Sequence, residues 1–165
     1  MTTWVATKVV DPIAPLVVEL EVRAEPARAF GAWVARTATW WPKAHTISGD
    51  PARIEFEPRA GGRIYEVGAD GREHPWGTVE VWEPPARLVY RWHLFFAPEE
   101  ATTVEVTFTG TDAGTAVRIE QRGWEALGEA GPPRRERTAG GWAAVTAPFR
   151  ALLDTDATTG PREAP

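Results

Sequence analysis

The chain has 165 residues, 43% of them apolar, and carries a formal net charge of -5 with a pI of about 5.3. One domain with a sizeable core fits that length, and the acidic balance leaves no electrostatic footprint for nucleic acid or an anionic membrane. The absence of cysteine excludes disulfides, thiolate catalysis and cysteine-based zinc sites.

No apolar run approaches the roughly 20 residues of a membrane span. Met1 to Val10 lacks the basic-then-apolar order of a signal peptide, so a soluble cytoplasmic protein is expected. Nine tryptophans against two tyrosines require a structural explanation.

Residues 1–14 read as an N-terminal extension. "LVVELEVR", Leu16 to Arg23, alternates as a strand. "EPARAFGAWVART" then places Pro26 in a first helical turn and Phe30, Trp33 and Val34 on one face. "TWWP" ends this helical region at Pro42, and His45 to Pro51 reads as loop. "RIEFEP" alternates as a strand with Ile54 and Phe56 on one face. Gly61 and Gly62 permit a reversal into "RIYEV", and Asp70-Gly71 centres the next turn. "WGTVEVWE" and "RLVYRWHLFF" are two strands joined by Pro84-Pro85, and "TTVEVTFTG" and "TAVRIEQRG" form a last hairpin. In the fifth strand Leu88, Tyr90, Trp92, Leu94 and Phe96 share an apolar face, which turns His93 outward. The directions of Trp76 and Trp82 stay open.

After a loop at Gly128 to Pro133 the period changes. Trp142, Val145, Phe149 and Leu152 fall on one helical stripe, and a bend is expected at Pro148. Residues 154–165 are small, polar and Pro/Gly-containing, and are expected to form a disordered tail. Short turns demand antiparallel neighbours, and one amphipathic helix can cover the sheet's apolar face. The expected fold is therefore α+β: a curved antiparallel sheet of about seven strands, two short helices after the first strand, and a long C-terminal helix.

The ordered set "PARAFGAW", "WWP", "FEPRAGGRIYE", "WGTVEVWEPPARLVYRW", "TTVEVTFTG", "GTAVRIEQRGW" and "GGW" resembles the activator-of-heat-shock-protein-90-ATPase-like branch of the START, or SRPBCC, helix-grip superfamily. The resemblance covers residues 15–153. It implies a sheet gripping the last helix around a cavity. Members bind apolar ligands, act as cyclases or hydrolases, or serve as co-chaperone modules. Gln121 stands where relatives often carry histidine, and Pro148 interrupts the last helix.

The leading function expected is binding of a small, mainly apolar ligand, aromatic or lipid-like. The alternatives are an enzyme of cyclase or hydrolase type and a co-chaperone-like protein-interaction module, as a monomer or homodimer. Candidate ligand-binding residues are Trp33, Trp41, Phe56, Ile64, Glu66, Trp76, Trp92, Gln121, Trp142 and Phe149. Glu66 is also the one catalytic candidate. Alternation with Ile64 carries it to the concave face, where burial is costly unless the carboxylate is bonded or paired. Either it is structural, or it works on a ligand with a raised pKa. The charges of Arg53, Glu55 and Glu57 read as a solvated sheet face. His45, His74 and His93 have no metal-ligand spacing, and no metal, cofactor, nucleic acid or membrane partner is expected. "PPRRER" is basic but too short and mixed to suggest nucleic acid.

Overall fold

A computed structural model describes residues 13–158. Seven strands form one antiparallel sheet in the order β1-β7-β6-β5-β4-β3-β2. They are β1 (Leu16–Val22), β2 (Pro51–Phe56), β3 (Arg63–Gly68), β4 (Glu73–Glu83), β5 (Arg87–Trp92), β6 (Thr102–Thr111) and β7 (Gly114–Arg122). Two short helices, α1 (Pro26–Ala35) and α2 (Thr37–Trp40), follow β1, and a long helix, α3 (Gly131–Thr158), closes the domain.

The alternation read from the sequence sets the two faces. Val104, Val106, Phe108, Val117 and Ile119 are buried, while the residues between them point outward into ion pairs. Glu105 on β6 accepts from Arg87 of β5 at 2.8 Å and from Arg122 of β7 at 2.9 Å. Cross-strand pairs of this kind contribute tenths of a kcal/mol each, about 0.2–1 kcal/mol. The charges of "RIEFE" behave likewise: Arg53 lies 3.6 Å from Glu55, and Ile54 and Phe56 are buried.

β4 explains why Trp76 and Trp82 were ambiguous. Its register shifts against both neighbours, leaving Trp76 opposite the step between Ile64 and Tyr65, and Glu80 opposite the step between Val79 and Val81. These bulges replace a period of two by steps of three, so Trp76, Val79 and Trp82 all face inward. A Cβ at Gly77 would lie 1.9 Å from the Arg91 carbonyl, which is why glycine follows the first bulge.

α3 lies against the concave face, and α1 packs beside it. Trp142, Val145, Phe149 and Leu153 are its large buried apolar positions. The stripe thus ends at Leu153, with Leu152 only partly buried, because a 3.6-residue period reaches i+11 rather than i+10. The expected loop at Gly128 to Pro133 is helical from Gly131: Pro132 and Pro133 sit in the first turn, where missing N–H groups cost no intrahelical bond. α3 also continues through Pro148 and past residue 154, where a tail was expected. Asp154 accepts from the Arg23 backbone N–H at 3.0 Å, and Asp156 pairs with Arg36 at 2.9 Å and Arg28 at 3.2 Å. Residues 1–12 of the expected 1–14 extension and the last seven residues lie outside the described range.

The core is unusually aromatic. Trp33 stacks on Trp142 with centroids 6.1 Å apart, and meets Trp40 and Phe149 at 5.1 Å. Trp41 joins Trp76 at 5.2 Å and Trp92 at 5.8 Å. Seven of the eight tryptophans within the described range are buried and Trp82 is half-buried, so core packing accounts for most of the excess.

Candidate functional site

β5 stops at Trp92, sooner than its apolar alternation suggests. His93 turns back, donating its backbone N–H to the Trp76 carbonyl at 2.8 Å, and its ring Nδ1 lies 3.2 Å from the Phe96 carbonyl. His93 is therefore buried, not outward. Phe95 takes a left-handed conformation, φ 69°, and is exposed together with Phe96. The chain then crosses to β6.

This crossing leaves a cavity of about 210 Å³ where β5 and β7 end and β6 begins. Trp41, Trp92 and Leu94 form one wall, and Trp142, Val145 and Gly141 of α3 form the other. Gln121 lies between them. Its amide is fixed at both ends: Nε2 donates to Thr102 Oγ1 at 2.8 Å, and Oε1 accepts from Trp142 Nε1 at 2.7 Å. His45, Phe95, Phe96, Arg134, Arg137 and Thr138 complete the lining.

Four of the ten candidates thus meet at the cavity: Trp41, Trp92, Gln121 and Trp142. The other six, Trp33, Phe56, Ile64, Glu66, Trp76 and Phe149, do not line it and pack in the core. Trp33 and Phe149 fill the space against each other that a larger cavity would occupy. Leu94 and Phe96 were legible as continuations of the Trp92 face. Arg134, Arg137 and Thr138 were missed, because "PPRRER" was weighed as a basic run for nucleic acid and not as part of a cavity wall.

Glu66 is on the concave face and fully buried, as its alternation with Ile64 requires. Its carboxylate is saturated. Oε1 accepts from the Ile47 backbone N–H and from Trp76 Nε1 at 2.9 Å. Oε2 accepts from Ser48 N at 3.1 Å and Ser48 Oγ at 2.7 Å. Burial pushes its pKa up, but the bonds from Ser48, Ile47 and Trp76 outweigh burial and hold it below the ordinary value. A raised pKa, expected from an apolar surround, is therefore not what these donors produce. Tyr90 is the contrary case. Its hydroxyl is buried without a hydrogen-bond partner among the described residues, and burial, opposed by nearby Trp33, pushes its pKa far up.

Among the described residues no three His, Asp or Glu side chains gather in a metal-holding group, and no helix is long and apolar enough to cross a membrane.

A curved antiparallel sheet holding a long C-terminal helix, with a cavity at one end of the grip, defines a helix-grip domain of the SRPBCC type. The family model described as Activator of Hsp90 ATPase homolog 1-like protein matches residues 23–154, and the chain belongs to that family. No curated protein matches the chain significantly. Among solved structures it is similar to a protein from Mesorhizobium loti, with 23% identity, a TM-score of 0.63, and coverage of 86% of this chain and 98% of the other. It is also similar to the anthrahydroquino-γ-pyrone synthase Txn09, solved in complex with SUM, at 26% identity and a TM-score of 0.59, covering 86% and 98%. DynU16, from the dynemicin biosynthetic locus, matches at 20% identity and a TM-score of 0.66, over 87% of this chain and 48% of its own.

Proposed function

We propose that the domain binds a small, mainly apolar ligand in the cavity between the sheet end and α3. The observation that carries this reading is the cavity itself, walled by Trp41, Trp92, Leu94, Trp142 and Val145 with the fixed amide of Gln121 among them. Apolar walls with a few oriented polar groups are the usual make-up of a small-molecule site. At about 210 Å³ it is smaller than the roughly 300–1,000 Å³ of drug-sized sites, which favours one or two rings or a short chain. Similarity to an anthrahydroquino-γ-pyrone synthase supports an aromatic ligand. An acid–base role for Glu66 has less support, since its carboxylate is saturated with donors and does not line the cavity.

Gly141 supplies the test. A Cβ there meets nothing within 4 Å, so Gly141→Leu projects into the cavity without backbone strain. A panel of small aromatics and short fatty acids should quench tryptophan fluorescence saturably in the parent, with Trp41, Trp92 and Trp142 reporting. The response should vanish in Gly141→Leu while its melting temperature holds. A flat response in the parent, or binding untouched by Gly141→Leu, would refute the reading.

A further inference from the structure

On the sheet's outer face three arginines hydrogen-bond a carboxylate: Arg87 and Arg122 lie 2.8 and 2.9 Å from Glu105, and Arg63 lies 3.0 Å from Glu73. Arg134 does not follow that pattern. Among the described residues it is the one buried arginine, 7% exposed, and its guanidinium donates no hydrogen bond there. Its one carboxylate partner, Glu100, forms an ion pair with it at 3.6 Å, too long for a hydrogen bond, and is itself half exposed. The guanidinium instead stacks over Phe96, 3.2 Å from the ring centroid. Arg137, three residues on along α3, also faces the cavity and makes no ion pair or hydrogen bond among the described residues. The lining contains no Asp or Glu. In a chain of net charge -5, two cations converge on one apolar space with a single carboxylate, that of Glu100, beside them.

We propose that the ligand bears a carboxylate, which docks on the forked guanidinium of Arg134 with Arg137 beside it while the apolar body fills the tryptophan-walled end. The inference rests on the ligand-binding reading and names the ligand's chemical class. Buried cations are ordinarily paired, and a planar guanidinium offers a bidentate fit to a carboxylate. Phe96 supports the flat face of Arg134 and leaves its N–H edge for the ligand. Thr138 contributes less, because its hydroxyl already donates to the Arg134 carbonyl at 2.7 Å. Burial, opposed by Glu100 and reinforced by Arg137, holds the Arg134 pKa below its ordinary value, and the group stays cationic at neutral pH.

The probes are 2-naphthoate and its neutral isostere 2-naphthamide, titrated calorimetrically at neutral pH. The parent should bind the acid at least about tenfold more tightly, the size of a charge-assisted contact. Arg134→Met keeps the apolar stem and should bring the acid-to-amide ratio close to one with amide affinity retained. Arg137→Gln, an exposed change that does not endanger folding, should lower the ratio about threefold. Equal affinities in the parent, or a ratio unmoved by Arg137→Gln and Arg134→Met alike, would overturn the inference and leave apolar binding standing. Failure of both probes to bind the parent would overturn both.

Discussion

Replacing Glu66 by glutamine tests whether its carboxylate is the fastening of the loop before β2. Four donors converge on it, and three of them, Ile47 N, Ser48 N and Trp76 Nε1, cannot act as acceptors. Glutamine can keep an oxygen toward Ile47 and Trp76. Its NH₂ then faces Ser48, whose hydroxyl can rotate to accept but whose backbone N–H cannot. One bond is lost, and the remaining ones lose their charge assistance. A hydrogen bond to a charged group contributes about 1.5–3 kcal/mol, so Glu66→Gln should cost about 2–3 kcal/mol. For a domain of this size that is a fall of about 4–12 °C in Tm. The pH dependence gives a second reading. Glu66 is held below its ordinary value in the folded state, so its contribution is complete above the unfolded value of about 4.3 and lost as pH falls through the folded value. The difference in stability between parent and variant should therefore shrink on acidification. Differential scanning calorimetry from pH 7 to pH 3 measures both. A variant that melts with the parent at every pH would show that these bonds stabilise nothing.

Phe149→Ala should destabilise by about 3–5 kcal/mol in chemical denaturation, since the ring is fully buried against Trp33 and Trp40. A chain ending at Leu153 should melt below one ending at Thr158, because Asp154 and Asp156 tie α3 to Arg23, Arg28 and Arg36. Gly140→Ala should raise stability by up to about 1 kcal/mol, as the position is helical and a Cβ meets nothing there; equilibrium unfolding in urea reads it. Tyr90→Phe should be neutral or slightly stabilising in the same assay, because it removes a buried hydroxyl without a partner.

Much of the fold was legible because a sheet with one dry face writes its pattern every second residue. Ile54 and Phe56 were placed by alternation alone, and alternation carried Glu66 to the same face as Ile64. It failed where local backbone changes intervene without changing composition. The apolar run Leu88 to Phe96 keeps its period in sequence, but the chain leaves the sheet after Trp92 and turns at a left-handed Phe95. The bulges of β4 likewise hid the direction of Trp76 and Trp82. Glu66 was placed on the correct face, whereas its ionisation depends on donors from Ile47 and Ser48, about 18 residues away in the chain and brought close only by folding. The cavity was least legible. Seven of its ten candidates were large aromatics, and size does not tell a residue that frames a space from one that fills it.

The cavity wall is made of two kinds of residue, and they differ in how freely they can change. Trp41, Trp92, Trp142 and Val145 belong at once to the lining and to the buried core, so altering them alters the fold. His45, Phe95, Phe96, Arg137 and Gly141 touch the same space but lie outside that core. Substitutions there can reshape what the cavity admits at little risk to folding, since surface changes away from special backbone positions usually cost within about 0.5 kcal/mol. Phe95, with its left-handed backbone, is the exception, best exchanged for asparagine or glycine. Chains sharing this scaffold could therefore diverge in ligand preference through a handful of rim positions while the tryptophan packing behind them stays as it is.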